Sequence, residues 1–330
     1  MSTLRLASRI VTRGWQTQVP KRWNHHHNRT VALTPEAIKA LDNWEANPPT
    51  LGFSDSLSLD HLSDLYVTLP TRDGTRKPFE EPQNGAPLAQ GQHLAFFHAR
   101  TPEHRLRGDG TDEEISPPAP FLTRMWAGGK MTWDVENPLI VGVKSRSSAT
   151  LSHLLRKGFE RNKPLVFVTQ KIQFFKEGKT TPSVVEERQH VYIPDGLSVV
   201  RKEPRIVPDI PQTSDFTFQY QPTPVTLFRF SAIMFNAHHI HLDKDYTTRV
   251  EGYPERLVHG PMTAMMLLET VGFHYPMAHI KEFEYRATNP MYVNRKLTIH
   301  GAWLDESVAK IWCVDDEGAV GMVGKITLAK

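Results

Sequence analysis

The apolar positions of the chain fall into two rhythms. Residues 34–46 place Ala37, Ile38, Ala40, Leu41 and Trp44 at helical spacing behind Thr34-Pro35-Glu36. A threonine cap with proline in the first turn predicts a helix there. Residues 59–69 predict a second, shorter one. From Pro70 to Pro120 proline and glycine dominate, and only the island Leu94 to Phe97 reads as a helical turn. From Met131 to Ile193 the pattern is strand-like: Leu165 to Phe175 alternates in its second half, Glu177-Gly178-Lys179 supplies a turn, and Val184 to Tyr192 returns.

Pro194, Pro204, Pro208, Pro211, Pro222 and Pro224 break up residues 194–224, which read as a linker without a regular element. A short strand from Thr226 to Phe230 is expected next, then a histidine-rich loop and a turn of helix near Lys244 to Arg249. Gly260-Pro261 opens a helix to about Tyr275 that is apolar on nearly every side (Met262, Ala264, Met265, Met266, Leu267, Leu268, Val271, Phe273). Such a helix must be wrapped by something. Four strand candidates follow, near 280–288, 295–304, 308–315 and 319–328, separated by Asn-Pro, Asp-Glu and Asp-Asp-Glu-Gly turns. A buried helix followed by an antiparallel meander is an α+β plan, which the first half repeats in degraded form.

Composition narrows the classes. The chain has 330 residues, 39% hydrophobic and 23% charged, a globular balance. Its single cysteine, Cys313, excludes an internal disulfide framework and any cysteine-based zinc module. No apolar run approaches the ~18 residues of a membrane span. The formal charge of +3 is an artefact of one end: residues 1–35 hold Arg5, Arg9, Arg13, Lys21, Arg22 and Arg29 and no acid. Without those six, 33 basic side chains face 36 acidic ones, which argues against a nucleic-acid binder.

On a helical wheel Arg5, Arg9 and Arg13 form one stripe, with Leu4, Ala7, Val11 and Trp15 on an apolar face beside it. An amphipathic, arginine-rich, acid-free start describes a mitochondrial transit peptide over residues 1–30, the alternative being a basic tail.

Residues 228–241 read Phe-Arg-Phe-Ser-Ala-Ile-Met-Phe-Asn-Ala-His-His-Ile-His, and Leu257-Val258-His259-Gly260-Pro261 opens the apolar helix. With Asp243, Tyr246 and Glu251-Gly252-Tyr253-Pro254 between them, this wording resembles the hydratase-2 motif of MaoC-like hot-dog enzymes. It is closest to the branch of mitochondrial hydroxyacyl-thioester dehydratase type 2 and the mesaconyl-CoA hydratases. Arg124-Met125-Trp126-Ala127-Gly128-Gly129 is similar to the start of that branch's first hot dog. The resemblance covers roughly residues 90–330 and implies a double hot dog, two antiparallel sheets each wrapping a central helix. It divides the chain into a degenerate hot dog at 31–193, the linker at 194–224 and a catalytic hot dog at 225–330.

The implied activity is that of a hydro-lyase: dehydration of (R)-3-hydroxyacyl thioesters to trans-2-enoyl thioesters in mitochondrial fatty-acid synthesis, in the matrix. Its partners would be acyl carrier protein or CoA thioesters, with no cofactor, no metal, no nucleic acid and no membrane span. Oligomeric state stays open, a homodimer among the options. One alternative is a mesaconyl-CoA-type hydratase of short dicarboxylic CoA esters, which needs a cation in the pocket that the sequence does not place. Another is a non-catalytic acyl-binding hot-dog module.

The chemistry requires a base for the C2 proton, an acid for the departing hydroxide and a home for the enolate oxygen. Histidine, with a pKa near 6.5, serves as base and, once protonated, as donor, and His241 is the choice. Asn236 stands where more distant relatives carry aspartate; its amide can hold the 3-hydroxyl or water but takes no proton. The N–H of Gly260 at a helix start suits the oxyanion. His259, Arg124, Trp126 and Gly128 are the expected substrate-binding residues. His238 and His239 read as structural or exposed, and a metal site on His239, His241 and His259 as the lesser alternative.

Overall fold

The structure, a computed structural model, describes residues 30–113, 115–197 and 203–329. The transit-peptide reading falls on residues 1–30, of which 1–29 lie outside the described residues.

The first half contains α1 (Pro35–Ala46), β1 (Leu51–Asp55), α2 (Leu59–Tyr66), β2 (Thr123–Trp133), β3 (Ser145–Lys157), β4 (Leu165–Lys176) and β5 (Val184–Ile193). The second contains β6 (Phe216–Tyr220), α3 (Pro224–Ile233), α4 (His239–Leu242), α5 (Lys244–Arg249), α6 (Gly260–His274), β7 (Ile280–Ala287), β8 (Leu297–Trp303), β9 (Val308–Asp315) and β10 (Val320–Leu328). All ten strands form one sheet in the order β1-β3-β4-β5-β2-β7-β10-β9-β8-β6. Within each half the strands run first-third-fourth-fifth-second, and the two halves meet where their second strands, β2 and β7, pair antiparallel from Gly128 opposite Arg286 to Thr132 opposite Glu282. The expected repeat is thus visible as topology, and the fold is an α+β double hot dog.

The helix α6 is wrapped as its composition requires: Met262 to Val271 are all buried. In the first half the 3-10 turn Gln92–Ala95 is fully buried, with the His93 ring edge-on to Trp133 and Phe174. This turn abuts α6 closely enough that a Cβ on Gly91 would lie 2.6 Å from Leu268. The largest apolar cluster among the described residues runs through both halves.

Two expectations are corrected. The strand over 226–230 is a helix, α3, because Thr223 forms a reciprocal capping box with Thr226 and Pro224 occupies the first turn. Its buried side chains Leu227, Phe230 and Ser231 follow helical spacing, while Val225 and Phe228 are exposed. The linker also holds a strand, β6, in which Phe216, Phe218 and Tyr220 are buried and Thr217 and Gln219 exposed. That alternation lies in the sequence between Pro211 and Pro222, masked by the prolines around it.

A buried carboxylate ties α6 to the first half. Glu269 accepts from Arg72 Nε at 2.6 Å, Gln92 Nε2 at 2.9 Å and Thr71 Oγ1 at 3.3 Å. Removing one partner of a buried pair strands the other charge. Because Arg72 is partly exposed, Arg72→Met is expected to cost about 1–3 kcal/mol, below the ~3–5 of a fully buried pair. Adding Glu269→Leu should recover part of that loss in urea denaturation; a double variant less stable than the single one would contradict this assignment.

Candidate active site

The site grows from the end of α3. Phe235 adopts a left-handed φ of 47° and is exposed, and Asn236 N–H donates to the Ser231 carbonyl at 2.8 Å. Such a conformation in a bulky residue costs on the order of 1–3 kcal/mol, and the Asn236–Ser231 bond across it closes the C-terminal end of α3. Asn236 Oδ1 then accepts from His238 N–H at 3.0 Å, so the amide oxygen is partly committed to the backbone and the amide NH2 is the group left to donate.

The next turn, α4, carries His241. Its Nδ1 lies 2.8 Å from the Leu257 carbonyl. A carbonyl only accepts, so Nδ1 carries the proton and Nε2 is left with a lone pair. The same two segments are locked by Leu257 N–H donating to the Ile240 carbonyl at 3.1 Å. The His259 ring stacks on His241 at 3.7 Å between centroids, with its Nε2 2.8 Å from Ser231 Oγ. His238 meets His241 edge-on at 5.6 Å. Burial pushes all three imidazoles down: His241 to about 4, His238 to about 3, and His259 well below its ordinary value. One nitrogen of each stacked ring faces Leu257 or Ser231, and among the described residues no group of three His, Cys, Asp or Glu side chains could hold a metal.

Gly260 begins α6 beneath the Trp126 ring; a Cβ there would lie 2.8 Å from Trp126 Cγ. Only a glycine admits this contact, which brings β2 of the first half onto the helix start of the second. Trp126 is edge-on to His190 and carries the Arg188 guanidinium over its face at 4.9 Å. Arg188 in turn grips the fully buried Glu186 at 2.6 and 2.8 Å. Burial pushes the Glu186 carboxyl up, but Arg188 and His93 outweigh it and hold it at about 2.

A cavity of about 1410 Å³ gathers these parts: Asn236, His238, His241, Gly260, Arg124 and Trp126 all line it, with Arg188 and His190 from the first half. Two expected residues do not. His259 is fully buried behind His241. Gly128 sits in the sheet at the β2–β7 junction with φ 154°, where a Cβ would meet the Tyr285 carbonyl at 2.5 Å. His238 is buried in the cavity wall rather than exposed. Sequence reasoning missed Arg188, Ser231 and Asp109. The last lies in the turn Arg107-Gly108-Asp109-Gly110-Thr111, whose flanking glycines were the available signal; its Oδ2 is 3.7 Å from His238 Nε2.

Comparison with known proteins agrees with this geometry. The family model described as "Hydroxyacyl-thioester dehydratase type 2" matches residues 91–293. The chain is 34% identical over 219 residues to the mesaconyl-C(4)-CoA hydratase of Chloroflexus aurantiacus, covering 64% of this chain and 75% of that one. It is 29% identical over 237 residues to the mitochondrial hydroxyacyl-thioester dehydratase type 2 of Schizosaccharomyces pombe, covering 64% and 77%. The fold is similar to a MaoC-like dehydratase from Phytophthora capsici, with a TM-score of 0.63 at 16% identity over 89% of this chain and 99% of that one. Among the described residues no helix is long and apolar enough to cross a membrane.

Two outcomes follow from the site. The histidines have folded-state pKa values below their unfolded value, so above about pH 6.5 both states are neutral and stability is complete. As pH falls from 6.5 toward 4 the unfolded chain binds protons first, and each buried imidazole removes on the order of 1–3 kcal/mol. Melting temperature should therefore drop between pH 7 and 5, and less steeply in His259→Gln; a flat profile would count against neutral buried rings. Gly260→Ala should displace Trp126 and lower turnover at least ~100-fold, the scale of losing one oxyanion donor, measured by steady-state kinetics with circular dichroism as the folding control.

Proposed function

Because the chain belongs to the hydroxyacyl-thioester dehydratase type 2 family and is a hydro-lyase, we propose that it dehydrates (R)-3-hydroxyacyl thioesters to trans-2-enoyl thioesters in mitochondria, on acyl carrier protein or CoA. The observation that carries this reading is His241, whose Nδ1–H is fixed on Leu257 so that a bare Nε2 is available in a cavity that also contains the start of α6. The R hand comes from the resemblance. The mitochondrial setting is supported by the arginine-rich, acid-free N-terminus and by the name of the fission-yeast relative.

In this mechanism the C2–H bond breaks and its proton forms an N–H on His241 Nε2. The electron pair moves toward the thioester oxygen, where the Gly260 N–H and the positive end of α6 stabilise the enolate. It then becomes the C2=C3 bond as C3–O breaks. The departing hydroxide takes the proton from His241 and leaves as water, so the imidazole returns neutral. The Asn236 NH2 donates to the C3 oxygen while charge builds on it. A low histidine pKa keeps the base unprotonated at neutral pH and makes its conjugate acid a strong donor.

A second reading, hydration of a short dicarboxylic CoA ester, draws support from a cation in the cavity, Arg124, which the sequence named as a substrate-binding residue without assigning it to a second carboxylate. Arg124 lines the cavity and suits a second carboxylate, while Arg188, which also lines it, keeps its Nε and Nη2 on Glu186. The Chloroflexus relative is named for such a substrate.

The purified chain without its first 30 residues, assayed for loss of enoyl absorbance, separates the two readings. Faster turnover of trans-2-decenoyl-CoA than of mesaconyl-CoA supports the first, and the reverse order supports the second. His241→Ala should lower kcat by ~10²–10⁴-fold with acyl-thioester binding nearly unchanged, because its interaction belongs to the transition state. A loss under tenfold would move the proton work elsewhere. Asn236→Ala should be worse than Asn236→Asp, which keeps the shape and an oxygen at that place.

A further inference from the structure

The histidine loop is held from outside its own half. The turn Arg107–Thr111 is self-contained: Gly110 N–H donates to the Arg107 carbonyl at 2.9 Å, and Arg107 N–H to the Thr111 carbonyl at 2.9 Å. It presses on the loop after α3, because a Cβ on Gly110, at φ 82°, would lie 2.2 Å from the Ala237 carbonyl oxygen. At the tip, the Asp109 carbonyl accepts from His239 N–H at 2.9 Å. The Asp109 side chain is oriented by Thr111, whose N–H and Oγ1 donate to Oδ1 at 2.9 and 2.6 Å. That leaves Oδ2 facing His238 Nε2 at 3.7 Å, beyond a direct hydrogen bond but within electrostatic reach.

We propose that Asp109, contributed by the first half, is a positioning residue for the reaction in the second: the negative field of its carboxylate, 3.7 Å from Nε2, biases His238 toward the Nε2–H tautomer and balances the proton that the histidine cluster carries during turnover. With Nε2 protonated toward Asp109, Nδ1 is the acceptor left on a ring that lines the cavity. There it can receive the O–H of the water or 3-hydroxyl whose oxygen Asn236 contacts. Asn236 is an amide and brings no charge, so the negative group beside these rings comes from across the halves. Arg124 on β2 and Arg107 on the turn are the cations felt by His238 and Asp109 respectively. Tyr246, edge-on to His239 at 5.4 Å, donates its hydroxyl to Glu251 at 2.8 Å.

This inference rests on the proposed elimination chemistry, and the test separates the two. Asp109→Asn keeps the acceptor for Thr111 and removes only the charge. On whichever enoyl thioester the native chain hydrates best, kcat should fall about tenfold or more, short of the ~10²–10⁴ of a group that moves the proton itself, with KM within a factor of about two. Asp109→Glu should restore part of kcat, and Asp109→Asn combined with His238→Asn should be no slower than the slower single variant. Unchanged kcat, or fully multiplicative losses, would overturn the proposal. Independently of any activity, nitrogen-15 spectra of the unliganded protein should give His238 as the Nε2–H tautomer, and as a mixture in Asp109→Asn; identical tautomers would also overturn it. If the native chain hydrates no enoyl thioester, the functional reading fails while the tautomer result still judges Asp109. If Asp109→Asn does not fold, His238→Asn in the otherwise native chain decides, a kcat within threefold of native being the negative result.

Discussion

The contact on which the molecule depends is the Trp126 ring resting on the bare α-carbon of Gly260. It joins the junction strand of one half to the helix start of the other, so the place where backbone N–H groups are unpaired is also the place where the two halves touch. The bulge between Trp126 and Gly128, and the glycine pair Gly128-Gly129 squeezed between the Tyr285 and Glu187 carbonyls, let β2 approach β5 and β7 closely enough for that placement. Arg188, Glu186 and His93 stiffen the tryptophan from behind. In the proposed mechanism the first half carries no group that moves the proton; it supplies Asp109 and the wall against which the other half's helix begins.

Desolvation does the second piece of work. Three imidazoles packed ring to ring would repel if charged, and burial keeps them neutral, with His241 protonated on the nitrogen that faces Leu257. A free histidine near neutrality is partly charged. Here the fold converts it to a lone pair at the cost of acid stability, and that exchange explains why such a cluster is tolerated in a cavity wall.

Much of this was legible in the residues. The helix from Gly260 and the four strands behind it followed from continuous apolar character and turn residues, because packing against one core imposes those periods directly. His241, Asn236 and Gly260 were picked out by the resemblance to the hydratase-2 motif, and the fold brings all three to one cavity. The misses have physical causes. Thr226 to Phe230 is β-branched and aromatic, which favours a strand by propensity, but a capping box and Pro224 decided otherwise. β6 hid among prolines, and its pairing with β8 is a long-range contact that local reasoning does not see. Gly128 resembled a binding residue because a glycine required by strand packing and one required by a ligand look alike in sequence. Asp109 lies 129 residues before His238, in a tract with no regular period, and only the fold brings them together.

The ends of the sheet carry a further consequence. A ten-stranded sheet built from two halves has two open edges where four would exist if the halves were separate, and both are its shortest strands, β1 and β6, of five residues each. An incoming strand would find at most a few rungs of free backbone on either side, bounded on one flank by the prolines around β6. Fusing the halves therefore protects against runaway edge-to-edge aggregation as well as completing a site, a benefit independent of any substrate.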